Sequence, residues 1–359
     1  MTFEHTRKHL QAYLDNKIPG NDLLIYQHGR EIFRQYQGVS DLEKMTPMNG
    51  KERAFIFSCS KPITVVCAMQ LFEKGSFKLE DRLADYMPEF SSMTFRDADG
   101  NIQPAKNAIT VEQLFSMTAG FSYNLTSPSL LRAKEETAGR SPTREVMRYL
   151  AQEPLEFEPG TGWNYSLCHD VLAALVEVIS GTPFNDYVKE HVFMPLGMKN
   201  STFITPEQEI PSLAALYSMD EQNNIIPARN NFIIGSEYAS GGAGCVSSVE
   251  DYILFLEAIR QGDIILKSET IRLMETPRLT PEQNRMFWLD NMYGYGLGIR
   301  CPLPGNCRRD AGWSGAAGAY LAVDREHDLT FFYLQNVLNH GDTPPRKDLI
   351  LAIYADLGI

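Results

Sequence analysis

The feature that most constrains the fold is where the strand signals fall: at both ends of the chain, with helical periodicity between them. Near the start, LLIYQ (23–27), a turn at His28-Gly29-Arg30 and EIFRQYQG (31–38) read as a β-hairpin. Strand signals return only after about residue 290, in YGYGLGIR, AYLAVD and DLTFFYLQ. Between them, PITVVCAMQLFEK (62–74) is a helix stopped by Gly75, and much of 110–225 is helical in pattern, as in TVEQLFSM, REVMRYLAQ and HDVLAALVEVISG. Residues 3–16 form a leading helix with Phe3, Leu10, Tyr13 and Leu14 toward one side, and a closing helix runs around KDLILAIYADL. Sequential domains do not give that order easily. The expected class is α/β (α+β): an antiparallel sheet built from both termini and flanked by helices (1–56 and 226–359), with a mainly helical lobe (57–225) inserted.

Composition narrows the function classes. The 359 residues are 43% hydrophobic and 22% charged, enough for a large core and too apolar for disorder. Net charge is −12 and no Lys/Arg cluster is visible, which argues against a nucleic-acid partner. No stretch of about eighteen apolar residues suggests a membrane span, and the first twenty residues lack a secretory pattern. The six cysteines form no C-x-x-C pair and are read as free thiols, and the histidines are read as lacking zinc-site spacing. The expectation is a cytoplasmic protein acting on a small molecule, with neither metal nor cofactor.

Three segments carry residues suited to acyl chemistry. Ser58-Cys59-Ser60-Lys61 places a hydroxyl and an amine three apart at a helix start, on one face. Serine needs a base to become nucleophilic, and a lysine serves if burial lowers its pKa. Ser58 also reads as a helix N-cap, with its backbone N–H turned toward a developing oxyanion. The apolar run behind Lys61 gives its charge no obvious structural reason to be there. In the second segment, Glu158-Pro159-Gly160-Thr161-Gly162 turns the chain and delivers Tyr165 close to the helix DVLAALVEVI. A tyrosine there suits a proton shuttle. The third, Gly312-Trp313-Ser314-Gly315-Ala316-Ala317-Gly318, leads small residues into the strand AYLAVD, where a substrate backbone can approach a strand edge.

Together, order and spacing resemble the serine β-lactamase and penicillin-binding protein superfamily, in the branch holding class C β-lactamases, D-alanyl-D-alanine carboxypeptidases and family VIII carboxylesterases. The likeness runs through FIFSCSKPITVVCAMQLFEKGSFKLEDRLADYMPEF, ITVEQLFSMTAGF, PLEFEPGTGWNYS, VFMPLGMKNSTF, ASGGAGCVSSVEDYILFL and the GWSGAAG segment. It implies a β-lactamase/DD-peptidase-like fold with the active site between the two lobes. It also implies an acylated Ser58 served by Lys61 and Tyr165, with the N–H groups of Ser58 and Ala316 as oxyanion hole. Trp313, Ser314 and Gly315 fall on the family's Lys-Thr-Gly position, and Leu167 on the third place of its Tyr-x-Asn motif.

Two departures bear on substrate. Leu167 replaces a polar asparagine, and Trp313 replaces a cation that attracts a carboxylate; an indole offers area and one N–H but no charge. Family VIII esterases resemble this pattern, so ester hydrolysis is favoured over β-lactam or D-Ala-D-Ala peptide hydrolysis. An acyltransferase or a non-catalytic sensor is more remote. Ser314 is expected to meet either substrate or the Lys61 network. His169 and Asp170 are read as structural and Cys59 as without a chemical role. The aromatics of FSYN (121–124) and MFWLD (286–290) are left between pocket and packing.

Overall fold

The computed structural model describes residues 2–289 and 292–359. Helix α1 (Glu4–Asp15) leads into strands β1 (Gly20–Gln27), β2 (Arg30–Asp41) and β3 (Thr46–Pro47). The far end of the chain supplies β4 (Tyr293–Tyr295), β5 (Arg300–Pro302), β6 (Ala311–Ser314), β7 (Tyr320–Asp324) and β8 (Leu329–Leu334). These eight make one antiparallel sheet in the order β4-β5-β6-β7-β8-β1-β2-β3. The two ends of the sequence meet at β1 and β8, where Ile25 faces Phe331 on one side and Phe33 of β2 on the other. The β1–β2 turn uses His28 (φ 51°) and Gly29 (φ 72°), the pair of left-handed residues that a two-residue hairpin turn demands.

Alternation along the strands divides two cores. Leu23, Ile25, Phe331 and Tyr333 face α1 and the closing helix α5 (Leu349–Leu357), meeting Leu10, Tyr13, Ile350 and Ile353. Leu24, Leu321, Phe332 and Leu334 face the other way into the main core, under α4 (Val249–Gln261). There Tyr252 stacks on Phe332 with centroids 4.3 Å apart. The same core continues into α2 (Ser60–Glu73) and α3 (Cys168–Ser180), which pack on one another. Eleven of the fourteen residues of α2 are buried, so it is apolar all round and sits inside the molecule.

The helices of 110–225 end at Leu196; from there to Pro227 the chain holds a short 3₁₀ segment (Glu207–Ser212) and the strands Tyr217–Met219 and Ile225–Pro227. Tyr217 and Ser218 pair in parallel with Val337 and Leu338, a partner 120 residues away that no local pattern announces. His5 and His9, contrary to the reading of the histidines, do have the H-x-x-x-H spacing. His9 Nε2, however, bonds the Tyr13 hydroxyl at 3.2 Å, and among the described residues no group of three or more His, Cys, Asp and Glu can hold a metal. No helix of the described residues is long and apolar enough to cross a membrane.

Candidate active site

Ser58 lies in a 3₁₀ turn, Phe57–Cys59, just ahead of α2. It is not the helix cap. Ser60, the first residue of α2, is tied down instead: its hydroxyl donates to the Phe57 carbonyl at 2.5 Å and accepts from the Cys245 N–H at 2.9 Å. Phe57 itself is left-handed (φ 48°), a conformation unfavourable for a bulky residue unless its surroundings fix it. Its buried ring is held against Phe55 and Phe232. Ser58 therefore stands on a tight turn with its hydroxyl free of capping, and 9% of its surface remains open.

Lys61, in the first turn of α2, is fully buried. Its Nζ is 3.3 Å from Ser58 Oγ, 3.4 Å from the Tyr123 hydroxyl and 2.8 Å from the Gly242 carbonyl, to which it donates. It also lies 4.4 Å from the Tyr165 ring centre. Burial lowers its pKa to about 7, with the Asp170 carboxylate pulling in the opposite direction. Asp170 is itself buried; its Oδ1 accepts from Tyr238 (2.8 Å) and Ser240 (2.6 Å), and the Gly242 backbone also hydrogen-bonds the carboxylate. Desolvation raises its pKa.

Gly242 separates the two groups. A Cβ there would come within 2.6 Å of Asp170 Oδ2 and 3.3 Å of Lys61 Nζ, so a side chain would wedge the pair apart. The run of small residues Ser240-Gly241-Gly242-Ala243-Gly244 is the backbone floor on which the lysine rests.

Tyr165 sits three residues ahead of α3, half-buried. Burial pushes its phenol up, and hydrogen bonds with the Ser58 hydroxyl and the Trp313 indole pull it back. Trp313 is 3% exposed, and its Nε1–H donates to Tyr165 Oη at 3.3 Å. The donor expected for substrate is thus engaged by the tyrosine. Gly315 follows β6 where a Cβ would sit 2.3 Å from the Ile56 carbonyl, which is why this position is glycine. Ala316 is exposed at the turn, and among the described residues no backbone carbonyl takes its N–H. Ser314 is half-buried and is not among the partners of Lys61. Leu167, expected at the substrate, is 1% exposed and belongs to the main core.

Reasoning from sequence missed Tyr123, Gly242 and Trp288. Tyr123 stacks on Tyr165 (5.5 Å) as well as meeting Lys61. Trp288 stands edge-on to Tyr165 at 5.2 Å. Both residues lay in the aromatic segments left undecided. The S-G-G-A-G run was the only local signal for Gly242. His169 fits the structural reading: it is buried beside Lys61 and its pKa is lowered to about 3. Burial pushes the Cys59 thiol up to about 12.

The family model described as Beta-lactamase matches residues 6–355. Esterase EstB of Burkholderia gladioli is 28% identical over 388 residues, covering 96% of this chain and 93% of its own. Protein Rv1367c of Mycobacterium tuberculosis is 28% identical over 347 residues, covering 88% and 85%. Among solved structures, EstCE1, a hydrolase with promiscuous acyltransferase activity, superposes with a TM-score of 0.79 at 26% identity, covering 98% of this chain and 99% of its own. An antiparallel sheet closed by both ends of the chain, a serine and a buried lysine one turn apart, and a family match over nearly the whole length lead to one conclusion: the chain belongs to the beta-lactamase family of serine hydrolases and acyl-transferring enzymes.

Proposed function

We propose that this protein is a carboxylesterase-type serine hydrolase that works through an acyl-enzyme on Ser58. The observation that carries the reading is the buried Lys61 amine 3.3 Å from Ser58 Oγ, with a carbonyl and two hydroxyls as its partners and a pKa lowered to about 7 by burial. As a free base it takes the Ser58 proton while Oγ attacks the ester carbonyl. The oxyanion is held by the backbone N–H groups of Ser58 and Ala316, a contribution on the order of 3 kcal/mol per donor. Tyr165, bridging Ser58 and Trp313, passes a proton to the departing alkoxide and is recharged from Lys61. The alcohol leaves and the acyl group stays on Ser58. Water then attacks the ester with its proton drawn to the same pair, Ser58 regains its hydrogen, and the acid is released.

An ester is favoured over an anionic amide because Trp313 brings no charge, and its one donor is held by Tyr165. The second reading, a β-lactamase or D-Ala-D-Ala peptidase, has one observation in its favour. Arg346 donates to the Gly315 carbonyl at 3.0 Å, beside the third motif, although it also pairs with Asp342 at 2.6 Å. Acyl transfer is a third outcome of the same intermediate, and the structurally similar EstCE1 is a hydrolase with promiscuous acyltransferase activity.

The test is intact mass after a fluorophosphonate probe, for wild type and Ser58→Ala, followed by p-nitrophenyl butyrate and nitrocefin turnover. The expected result is an adduct on wild type alone and far faster ester turnover. Equal labelling of the two proteins overturns the nucleophile. Faster nitrocefin turnover that is lost in Arg346→Ala moves the second reading to the front.

A further inference from the structure

The protein has three tryptophans, and all three gather around Tyr165. Trp163 and Trp313 are buried, at 4% and 3% exposure, and their place in the core is explained by packing. Trp288 is different. It is 55% exposed, yet its ring is 5.2 Å from Tyr165, 5.0 Å from Trp163 and 6.0 Å from Trp313. Met286, two residues before it, is 51% exposed, and its sulfur accepts the Trp163 backbone N–H at 3.4 Å. The nearby ionic groups Glu282 and Arg285 pair with each other at 3.3 Å and stay in solvent. A large apolar wall is left open to water on the flank of the tyrosine.

The chemistry says which part of a substrate meets that wall. A general acid must stand within hydrogen-bond distance of the oxygen it protonates, and in ester cleavage that oxygen belongs to the alcohol. On the reading that Tyr165 is this acid, the alcohol lies against Tyr165 and its substituent runs on over the neighbours of Tyr165. The acyl group hangs from the carbon that Ser58 attacks, away from that oxygen. We propose that Trp288, with Met286, forms the subsite for the alcohol part of the ester and selects aromatic or broad apolar alcohols over small ones. An indole edge beside a phenol offers a planar group both stacking and apolar cover, and neither discriminates among acyl groups.

The inference rests on the proposed Ser58–Tyr165 mechanism, and the experiment separates the two. Methyl acetate and benzyl acetate share an acyl group, and their alcohols are of similar acidity, so the kcat/KM ratio of benzyl to methyl reports contacts made by the alcohol. Methyl hexanoate against methyl acetate gives the corresponding acyl ratio. In Trp288→Ala the alcohol ratio is expected to fall at least tenfold, in Trp288→Phe to return to within about threefold of wild type, and the acyl ratio to stay within twofold in both. Fluorophosphonate labelling of Ser58 in each variant confirms an assembled site, which the exposure of residue 288 favours. Retained labelling with an unchanged alcohol ratio, or with the acyl ratio falling equally, overturns the subsite and leaves the mechanism standing. Failure of wild type to label overturns the mechanism and the subsite with it.

Discussion

On the proposed mechanism Lys61 acts on Ser58 uncharged, and the residues around it set when that happens. Burial lowers its pKa to about 7, and Asp170 opposes the shift. For ester substrates kcat/KM should therefore rise as pH passes through about 7 and level off above it. Asp170→Asn removes the opposing charge, so the acid limb of that profile should move to lower pH while the plateau persists; an unmoved limb, or one moved upward, would show that Asp170 does not set the lysine. Lys61→Met should lower kcat/KM on the order of 10²–10⁴-fold, the usual worth of a positioned base. The same substitution has a sign for stability. The unfolded chain binds a proton at Lys61 below about 10.5 and the folded chain only below about 7, so burying the amine destabilises the fold fully below pH 7 and progressively less toward pH 10.5. Lys61→Met is accordingly expected to raise Tm more at pH 6.5 than at pH 10, measured by thermal denaturation at both. That Ser58, Lys61 and Tyr165 come together was legible in the sequence, because each sits in a short segment whose spacing has a chemical meaning. Tyr123 and Gly242 were not, because they reach Lys61 across 62 and 181 residues of chain, a distance no spacing rule spans.

Strand β6 and the Ser58 turn are separate elements that the site needs in one register. They meet tightly at Gly315, just past β6, whose missing Cβ leaves room for the carbonyl of Ile56, just before the turn, at 2.3 Å from where that carbon would be. Gly315 N–H also closes the turn onto the Ala319 carbonyl at 2.7 Å, which fixes the backbone carrying Ala316. Gly315→Ala cannot be absorbed by a rotamer change, because the obstacle is backbone. The strand end must move away from the turn, at about 1–3 kcal/mol for overpacking. The displacement separates the Ser58 and Ala316 N–H groups, and a shift near 1 Å in such a site costs on the order of 10²-fold in rate. Steady-state ester kinetics together with a Tm should show both losses, and a variant with wild-type kcat/KM would dismiss Ala316 as an oxyanion donor. The sequence suggested a small-residue approach here. It also suggested that Ser58 caps the helix, but no side chain does so; Ser60, two residues on in the same Ser-x-Ser pattern, closes the turn onto the Phe57 carbonyl. Local propensity does not distinguish the two serines; only the partner Cys245, brought in by the fold, does.

At the scale of the whole molecule, the antiparallel sheet was readable from strand signals at both ends, because β1, β7 and β8 are short apolar runs covered on both faces and keep that character whatever lies between them. The stretch after Leu196 was not readable, since its short strands gain their definition from Val337 and Leu338 rather than from their own pattern. The sequence divides into a sheet part and a helical part, but the main core does not follow that division. Leu24 and Phe332 of the sheet, Tyr252 of α4, and Val65 and Leu172 of the inner helices form one continuous apolar cluster. Residues that share a buried surface of that extent lose it together, so unfolding of one part exposes the other. The three tryptophans give a probe of this, because all of them lie at the candidate site, whereas far-UV circular dichroism reports helices and strands throughout. Thermal or urea unfolding followed by tryptophan emission and by circular dichroism should give superimposable transitions with one midpoint. A tryptophan transition that precedes the loss of secondary structure would mean that the helical part opens as a separate unit. The site, which draws Ser58 and Tyr165 from one part and Trp313 from the other, would then come apart before the sheet does.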